Sequence, residues 1–353
     1  MYFKQRGLSL IELMIAITLG LILMAGVVQI FLSSQTVFHT QQAMSRIQEN
    51  GRLGVEFIAK DIRMAGYMGC LNDPTAISNT LNSSNQFAYR MNIGIEGYTA
   101  PLVGSEAGMT LSPSPIAGTD ILVVRSAAGA GAPVTQINNA NQIFARDTGS
   151  VAGACTGGSA SYSGICTNDI VIVADCFKGR VFQATNIASA GGELTIAHAA
   201  GSSPGNAMTS WGGGTLDMEF TTGADVLPVS HIVYFIATSP STQQPSLYQN
   251  INGHTTLELL SGVEDMHLTY SRRATPDNYQ TAATIGSAAW SSTDNPVVSV
   301  RVQLLVRSLE DNVLEEPQVF VFPEGTDARS PDPVDRRMRQ VFTNTVGIRG
   351  RLP

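Results

Sequence analysis

The residues with the clearest chemical meaning lie at the start of the chain, where one carboxylate stands inside an apolar run. Glu12 lies just inside the run from Leu8 to Leu32. A carboxylate in a bilayer is strongly disfavoured unless it finds a cationic or hydrogen-bonding partner. Cleavage between Gly7 and Leu8 would give Leu8 a free α-amine on the same helical face as Glu12, and in an assembly of parallel helices Glu12 could meet the amine of a neighbour. The sequence therefore predicts a proteolytic step that permits a charge pair and, through it, helix docking.

The apolar run is long enough to cross a membrane. Its 25 residues would span roughly 37 Å as a helix, against a hydrocarbon core of about 30 Å. Lys4 and Arg6 precede it, and the next Lys or Arg is Arg46. The positive-inside rule then keeps residues 1–7 in the cytoplasm and exports the rest. An ordinary secretory signal peptide has a shorter apolar core, and a plain signal anchor does not account for Glu12.

A helical pattern continues beyond the run. Apolar or small residues recur at spacings of three and four and form one face, namely Ile47, Gly51, Val55, Ile58 and Ile62. No proline interrupts the segment, and Gly66 favours termination. We therefore predict one helix from about Leu8 to about Met64, with a transmembrane half at 8–32 and a periplasmic half at 33–66.

The remainder, residues 67–353, is expected to form a β-rich domain. β-branched and aromatic runs predict strands, for example "DILVVRSA" from Asp120 and "HIVYFIAT" from His231. Residues 75–165 are rich in Ser, Gly, Ala, Asn and Thr, which predicts a loop-rich insertion. Residues 255–266 are predicted to form a short helix or turn. The expected fold class is α+β, with a long N-terminal helix packed on an antiparallel sheet.

Four cysteines are present, and their spacing argues against a zinc site. They form no C-x-x-C pair and no histidine cluster lies beside them. An even number behind an export-type segment favours two disulfides over four unpaired buried thiols. Cys155 and Cys166 bracket a Gly/Ser-rich loop that suits a hairpin tip, which would leave Cys70 to pair with Cys176. The other two connectivities stay open on sequence grounds.

The other polar residues form no recognisable catalytic motif. The five histidines are scattered, and the chain has no HExxH, G-x-S-x-G or Walker A pattern. Loop acids could hold calcium, but no EF-hand motif supports such a site. We therefore expect no enzyme activity, no cofactor and no metal.

Charge does not point to nucleic acid, because the net charge is −7 and no basic patch is evident. The chain end after Asp335 nevertheless has five arginines and no acid. A solvated basic edge or strand end is the simplest interpretation, and contact with an acidic neighbouring subunit is the alternative. These residues are Arg336, Arg337, Arg339, Arg349 and Arg351.

The segment "KQRGLSLIELMIAITLG" resembles the leader and cleavage/methylation motif of type IV pilins and pseudopilins. That pattern has a short basic leader, a glycine, an apolar residue, three further residues and a glutamate, which here fall on Gly7, Leu8 and Glu12. The resemblance implies that a prepilin peptidase removes the leader, residues 1–7, and methylates the new amine of Leu8. Leu8 replaces the more usual Phe, and the membrane helix lacks the proline common in major pilins. The missing proline argues against a major, filament-forming subunit.

Several later segments resemble the PilW-type minor pilin, most weakly across residues 75–165. The resemblance implies one of a small set of minor pilins that primes assembly and lies at or near the pilus tip, supporting adhesion and twitching motility. Expected partners are the other minor pilins and the major pilin, through parallel N-terminal helices, together with a tip adhesin and the prepilin peptidase. The protein would occupy the inner membrane, with its C-terminal domain in the periplasm, and then the pilus tip. The segments are "RMAGYMGC", "VADCF", "LSGVEDMHLTYS", "VVSVRVQLLVRS" and "RRMRQVFTNTVGIRGR".

Two alternatives share some of these features. A J-type minor pseudopilin of type II secretion has the same N-terminal motif but lacks the long 75–165 insertion. A membrane-anchored surface-binding protein would keep its N-terminal residues uncut. Lost twitching against lost exoprotein secretion separates the first alternative, and the N-terminal sequence of the extracted protein separates the second.

Overall fold

A computed structural model describes residues 9–71, 73–102, 110–129, 131–155, 157–201, 203–209, 219–286, 289–331 and 333–351. One long helix, α1, is followed by many strands, which confirms the expected α+β class. The chain divides into two compact units. The first comprises Met1–Glu49 and Arg307–Gln340, and the second comprises Asn50–Val306 and Val341–Pro353.

The helices and strands of the described residues follow one another with short connections. The α-helices are α1 (Leu10–Arg63) and α2 (Ala282–Ile285), and short 3-10 helices occupy Pro74–Ala76, Phe87–Tyr89 and Arg349–Arg351. The first strands are β1 (Ile77–Asn79), β2 (Ile95–Thr99), β3 (Asp120–Ala127), β4 (Ala132–Pro133), β5 (Gln142–Arg146), β6 (Ser150–Val151), β7 (Ser161–Tyr162), β8 (Ile170–Ala174), β9 (Gly179–Gln183) and β10 (Asn186–Ala190). The later strands are β11 (Glu193–Ala197), β12 (Asp225–Thr238), β13 (Pro245–Ile251), β14 (Thr255–Ser261), β15 (Val263–Arg272), β16 (Thr275–Thr281), β17 (Val297–Arg307), β18 (Phe320–Val321), β19 (Ala328–Arg329) and β20 (Arg339–Gly347).

The largest sheet of the second unit is built around β12. Its main path is β1-β9-β8-β12-β13-β14, and β3 and β4 also pair with β12. Except for the parallel pair β1–β9, its ladders are antiparallel. A second sheet has the order β16-β15-β17-β20, and a third has the order β10-β11-β5.

The large sheet is buried on both faces at β8. Val171 and Val173 belong to one buried apolar cluster, whereas Ile172 and Ala174 belong to another. Successive side chains of a strand point to opposite faces, so this alternation places a separate core on each side of the sheet. The run "IVIVA" is continuously apolar for that reason.

One secondary-structure prediction is wrong. Residues 255–266, expected to form a short helix or turn, form β14 and the start of β15. Leu and Glu residues suit a helix, but the segment hydrogen-bonds along β13 from Ser246 to Ile251. Tertiary pairing therefore overrides the local preference.

In the first unit, the basic segment near the chain end is largely occupied by local contacts. Arg339 is buried and makes a paired contact with Asp335, at 2.6 and 2.8 Å. Arg337 donates to the carbonyls of Ser308, at 2.9 Å, and Leu309. The expectation of a solvated edge is therefore wrong for Arg339, whose charge is neutralised within its own unit.

Candidate assembly interface

The first turn of α1 presents a single acid. Glu12 lies in that turn and is exposed, and the amide of Leu13 donates to the carbonyl of Ser9 at 3.0 Å. A negative charge at a helix N-terminus is stabilised by the unpaired amides and the helix dipole. Gly7 and Leu8, the predicted cleavage and methylation residues, lie outside the described residues. The structure thus places the acid and leaves its pairing with the Leu8 amine as a prediction.

The part of α1 that follows is exposed and apolar on every side. Exposed side chains include Leu10 at 77 %, Ile22 at 69 % and Phe31 at 59 %. Between Glu12 and Arg46 the sequence has no Asp, Glu, Lys or Arg. Among the described residues, α1 is the one helix long and apolar enough to cross a membrane. A helix that is hydrophobic all round is suited to lipid or to packing among other apolar helices.

Burial begins further along the helix, and it follows one stripe. In the first unit, Ala43 and Ile47 are buried, and the hydroxyl of Thr40 donates to the carbonyl of Val313 at 3.3 Å. In the second unit, Ile58 and Ile62 are completely buried. The spacing of these residues is that of one helix face, as the sequence predicted.

Two glycines let α1 approach the strands of the second unit closely. A Cβ added at Gly54 would lie 2.8 Å from Cδ1 of Leu304 in β17, and one added at Gly51 would overlap the ring of Phe342 in β20. In contrast, a Cβ at Gly26 would meet nothing within 4 Å. Gly51 and Gly54 weaken the helix intrinsically, by roughly 1 kcal/mol each relative to alanine, and in return they permit close packing.

A buried hydrogen-bond chain fixes the end of α1 to the large sheet. The hydroxyl of Tyr234 in β12 donates to Oδ2 of Asp61 at 2.6 Å, and Nε2 of Gln249 in β13 donates to that hydroxyl at 2.8 Å. Burial, followed by the charge of Asp61, raises the pKa of Tyr234 well above its usual range. The phenol therefore stays protonated and remains a donor to the helix.

A buried ion pair holds the chain just after the helix. Nη2 of Arg125, in β3, lies 2.6 Å from the carboxylate of Glu96 in β2, and the same guanidinium donates to the carbonyls of Phe87 and Ile93. The amide of Gly66 donates to the carbonyl of Arg125 at 2.8 Å. These contacts explain why both charges are tolerated in the interior, since each is paired and hydrogen-bonded.

Sequence reasoning missed both of these polar links. Asp61 was treated as part of the solvated face of the helix, and Glu96 fell in the segment expected to be loop-rich. The available signal for Asp61 was its position directly between two buried residues of the stripe, Ile58 and Ile62. No comparable local signal existed for Glu96, because its partner Arg125 is distant in sequence.

The cysteines form the pairs that the sequence favoured. Cys70, just after α1, is bonded to Cys176 in the turn between β8 and β9, with Cα atoms 4.7 Å apart. Cys155 is bonded to Cys166, with Cα atoms 5.7 Å apart. The first bond therefore ties the end of the helix to the large sheet, and the second closes a short loop.

The described residues hold no arrangement of groups that points to catalysis. No group of three or more His, Cys, Asp or Glu side chains among them could hold a metal ion. His231 is buried, and burial followed by the nearby Arg125 lowers its pKa to about 3. It is therefore neutral at ordinary pH and serves the interior of the sheet.

Comparison with known families gives two matches. Residues 2–28 match the prokaryotic N-terminal methylation motif, and residues 233–350 match the family of type IV pilus-assembly protein W. Neither curated proteins nor solved structures give a match to the chain. The second match runs from within β12 to the 3-10 helix after β20, and all four cysteines lie outside both matches. The matched families describe pilus components rather than enzymes, and the motif with its apolar helix indicates a membrane-anchored protein.

Proposed function

Because this chain is a type IV pilin-like protein of the PilW type, we propose that it is a minor pilin that primes pilus assembly. The observation that supports this most directly is the division of α1 into an exposed apolar half with one acid and a half that is packed on strands. The first half is suited first to the inner membrane and then to a bundle of parallel helices. The second half carries the large C-terminal domain, which faces the periplasm before assembly.

Processing would precede docking. In this proposal a prepilin peptidase cuts after Gly7 and methylates the amine of Leu8, which then pairs with Glu12 of its own or a neighbouring helix. Only one axial stagger satisfies the charge, because an unpaired carboxylate in an apolar bundle is strongly disfavoured. The exposed, otherwise uncharged helix from Leu13 to Phe38 supports this mechanism, since it offers Glu12 no other partner on its own chain.

Position at or near the tip is the finer part of the proposal. The membrane half lacks the proline expected of a filament-forming subunit, and the domain beyond it is large. Both features suit a subunit present in few copies that contacts other minor pilins, the major pilin and a tip adhesin. Adhesion and twitching motility would depend on it through the filaments that it initiates.

Replacing Glu12 with alanine tests the docking mechanism. The variant should be cleaved and methylated normally, but its amount in sheared pili should fall by about tenfold or more, as expected for loss of a charge pair in an apolar environment. Glu49→Ala is the matched control, because Glu49 is an exposed acid on the same helix outside the apolar run. Unchanged incorporation of Glu12→Ala would refute the charge-pair mechanism.

The mass of the intact native protein tests the processing step. A polypeptide that begins at methylated Leu8 is expected, whereas retention of residues 1–7 would support an uncut anchor instead. Copy number in purified filaments and the deletion phenotype test the finer role. Loss of exoprotein secretion with normal piliation would favour the J-type pseudopilin over a pilus subunit.

A further inference from the structure

A groove opens in the second unit where α1 ends. Two adjoining chambers, each with a volume of about 190 Å³, share Pro74, Asn92, Gly350 and Arg351 in their walls. The first chamber follows the turn after α1, and the second lies beside Trp290. We call the two chambers together the helix-end groove.

The first chamber is apolar at its base. Met68, Leu71 and Met91 line it and are almost completely buried, and Met64 and Ile77 also contribute to its walls. Its size suits a single aliphatic side chain, and methionines adapt readily to the shape of such a group.

Three arginines border the same groove, and no carboxylate among the described residues forms an ion pair with any of them. Arg273 and Arg349 are exposed, whereas Arg351 is half-buried. Nη2 of Arg273 donates to the carbonyl of Arg351 at 3.5 Å, and Nη1 of Arg351 donates to the carbonyl of Val297 at 3.3 Å. These carbonyl contacts leave the positive charges uncompensated.

The other charged residues of the groove do not supply a counter-ion. The carboxylate of Asp73 accepts from the amide of Thr75 at 2.8 Å and from its hydroxyl at 2.6 Å. Arg63 already pairs with Glu56 at 3.2 Å, outside the chamber. Burial, and then the charge of Arg273, lower the pKa of the Arg351 guanidinium, which reflects the cost of holding like charges together. An added anion would relieve that repulsion.

We propose that the helix-end groove binds an acidic peptide segment of a partner protein, with an aliphatic side chain in the first chamber and adjacent carboxylates on Arg273, Arg349 and Arg351. Guanidinium groups bind carboxylates through paired, charge-assisted hydrogen bonds, which suits this ligand. A small inorganic anion would leave the apolar chamber empty, and a lipid acyl chain would exceed its volume. The proposal does not depend on the pilus role argued above.

The test uses the purified full-length protein in detergent and a fluorescein-labelled peptide of sequence Gly-Val-Leu-Glu-Glu-Gly. Binding measured by fluorescence anisotropy should weaken as salt is added, because the contact is partly ionic. A twin peptide with Gln in place of both Glu residues should bind more weakly by about tenfold or more, the effect of losing a charge-assisted hydrogen bond.

Variants of the protein then locate the site. Arg273→Gln combined with Arg349→Gln should weaken binding of the acidic peptide by about tenfold or more. Arg52→Gln combined with Lys60→Gln removes the same charge from exposed positions on α1 and should leave binding unchanged. Thermal unfolding verifies that each variant is folded. If the first double variant is not folded, Arg349→Gln alone, at an exposed position, should still weaken binding severalfold.

Several results would overturn the proposal. The acidic peptide would fail to bind, or the Gln twin would bind equally well, or the control variant would lose as much affinity as the groove variant. Displacement of the peptide by inorganic phosphate at the same concentration as by unlabelled peptide would show a site for small anions. Equally effective displacement by octanoate would show a site for lipids.

Discussion

The two halves of α1 belong to one helix but use different sequence solutions. From Leu10 to Phe38 nearly every large apolar side chain is exposed, and Glu12 is the single charge. From Ala43 to Ile62 the apolar and small residues are confined to one buried stripe, with charges on the remaining faces. The comparison teaches that exposure to lipid or to other helices requires an apolar surface all round, whereas packing on strands requires a narrow face and close approach.

The largest contrast should come from removing an apolar side chain from each half. Ile58→Ala should destabilise the second unit by about 2–5 kcal/mol, because it leaves a cavity at a completely buried position. Ile22→Ala should change the free energy of unfolding by less than about 0.5 kcal/mol, because that side chain is exposed in the isolated protein. Thermal and denaturant unfolding in detergent measures both. Equal losses would abolish the distinction between the halves.

Adding bulk at the glycines should give a smaller contrast of the same sign. Gly54→Leu should destabilise by about 1–3 kcal/mol, because its Cβ would already press on Leu304. Gly26→Leu has open space around it and should be neutral or slightly stabilising to the helix. The same unfolding measurement applies, and a neutral Gly54→Leu would show that the helix does not need its close approach to β17.

Removing an acid tests the polar side of the comparison. Asp61→Ala should destabilise by about 1–3 kcal/mol, since the buried hydroxyl of Tyr234 loses its acceptor. Glu56→Ala removes an exposed ion pair with Arg63 and should change stability by about 0–1 kcal/mol. The variant Tyr234→Phe, combined with Asp61→Ala, should recover part of the loss. Its failure to do so would indicate that Asp61 acts elsewhere.

The smallest effect should be a gradual dependence on pH that only the packed half shows. His231 titrates near 6.5 when unfolded and at about 3 when folded, so its full contribution is present above about pH 6.5. As the pH falls from there towards 3, the unfolded state takes up the proton first, and stability should fall by up to about 1.4 kcal/mol per pH unit. His231→Gln should flatten this dependence and the exposed His254→Gln should not. The unfolding midpoint measured at a series of pH values gives the answer, and unchanged curves for both variants would contradict the assignment.

The long helix was the most predictable part of the fold. The expected range, from about Leu8 to about Met64, compares with Leu10–Arg63 in the structure, because apolar periodicity and the absence of proline are local signals. The strand "DILVVRSA" likewise coincides with β3. The segment at 255–266 was mispredicted because its strand identity comes from pairing with β13, which no local window contains.

The candidate site was only partly predictable for the same reason. Glu12 could be singled out because a lone acid in an apolar run is conspicuous in one dimension. The helix-end groove could not, since its arginines come from β15–β16, from the 3-10 helix after β20 and from a shared wall that only the fold assembles. Local patterns identify elements, whereas clustered charge from distant segments requires the folded chain.

The bond between Cys70 and Cys176 has a mechanical consequence. Force applied to a chain from its two ends travels along the shortest covalent route, and this bond bypasses the residues between the two cysteines, which are separated by 106 positions. Tension on the helix therefore passes directly into the β8–β9 turn. Roughly 350 Å of potential extension stays locked out of reach for as long as the bond is oxidised.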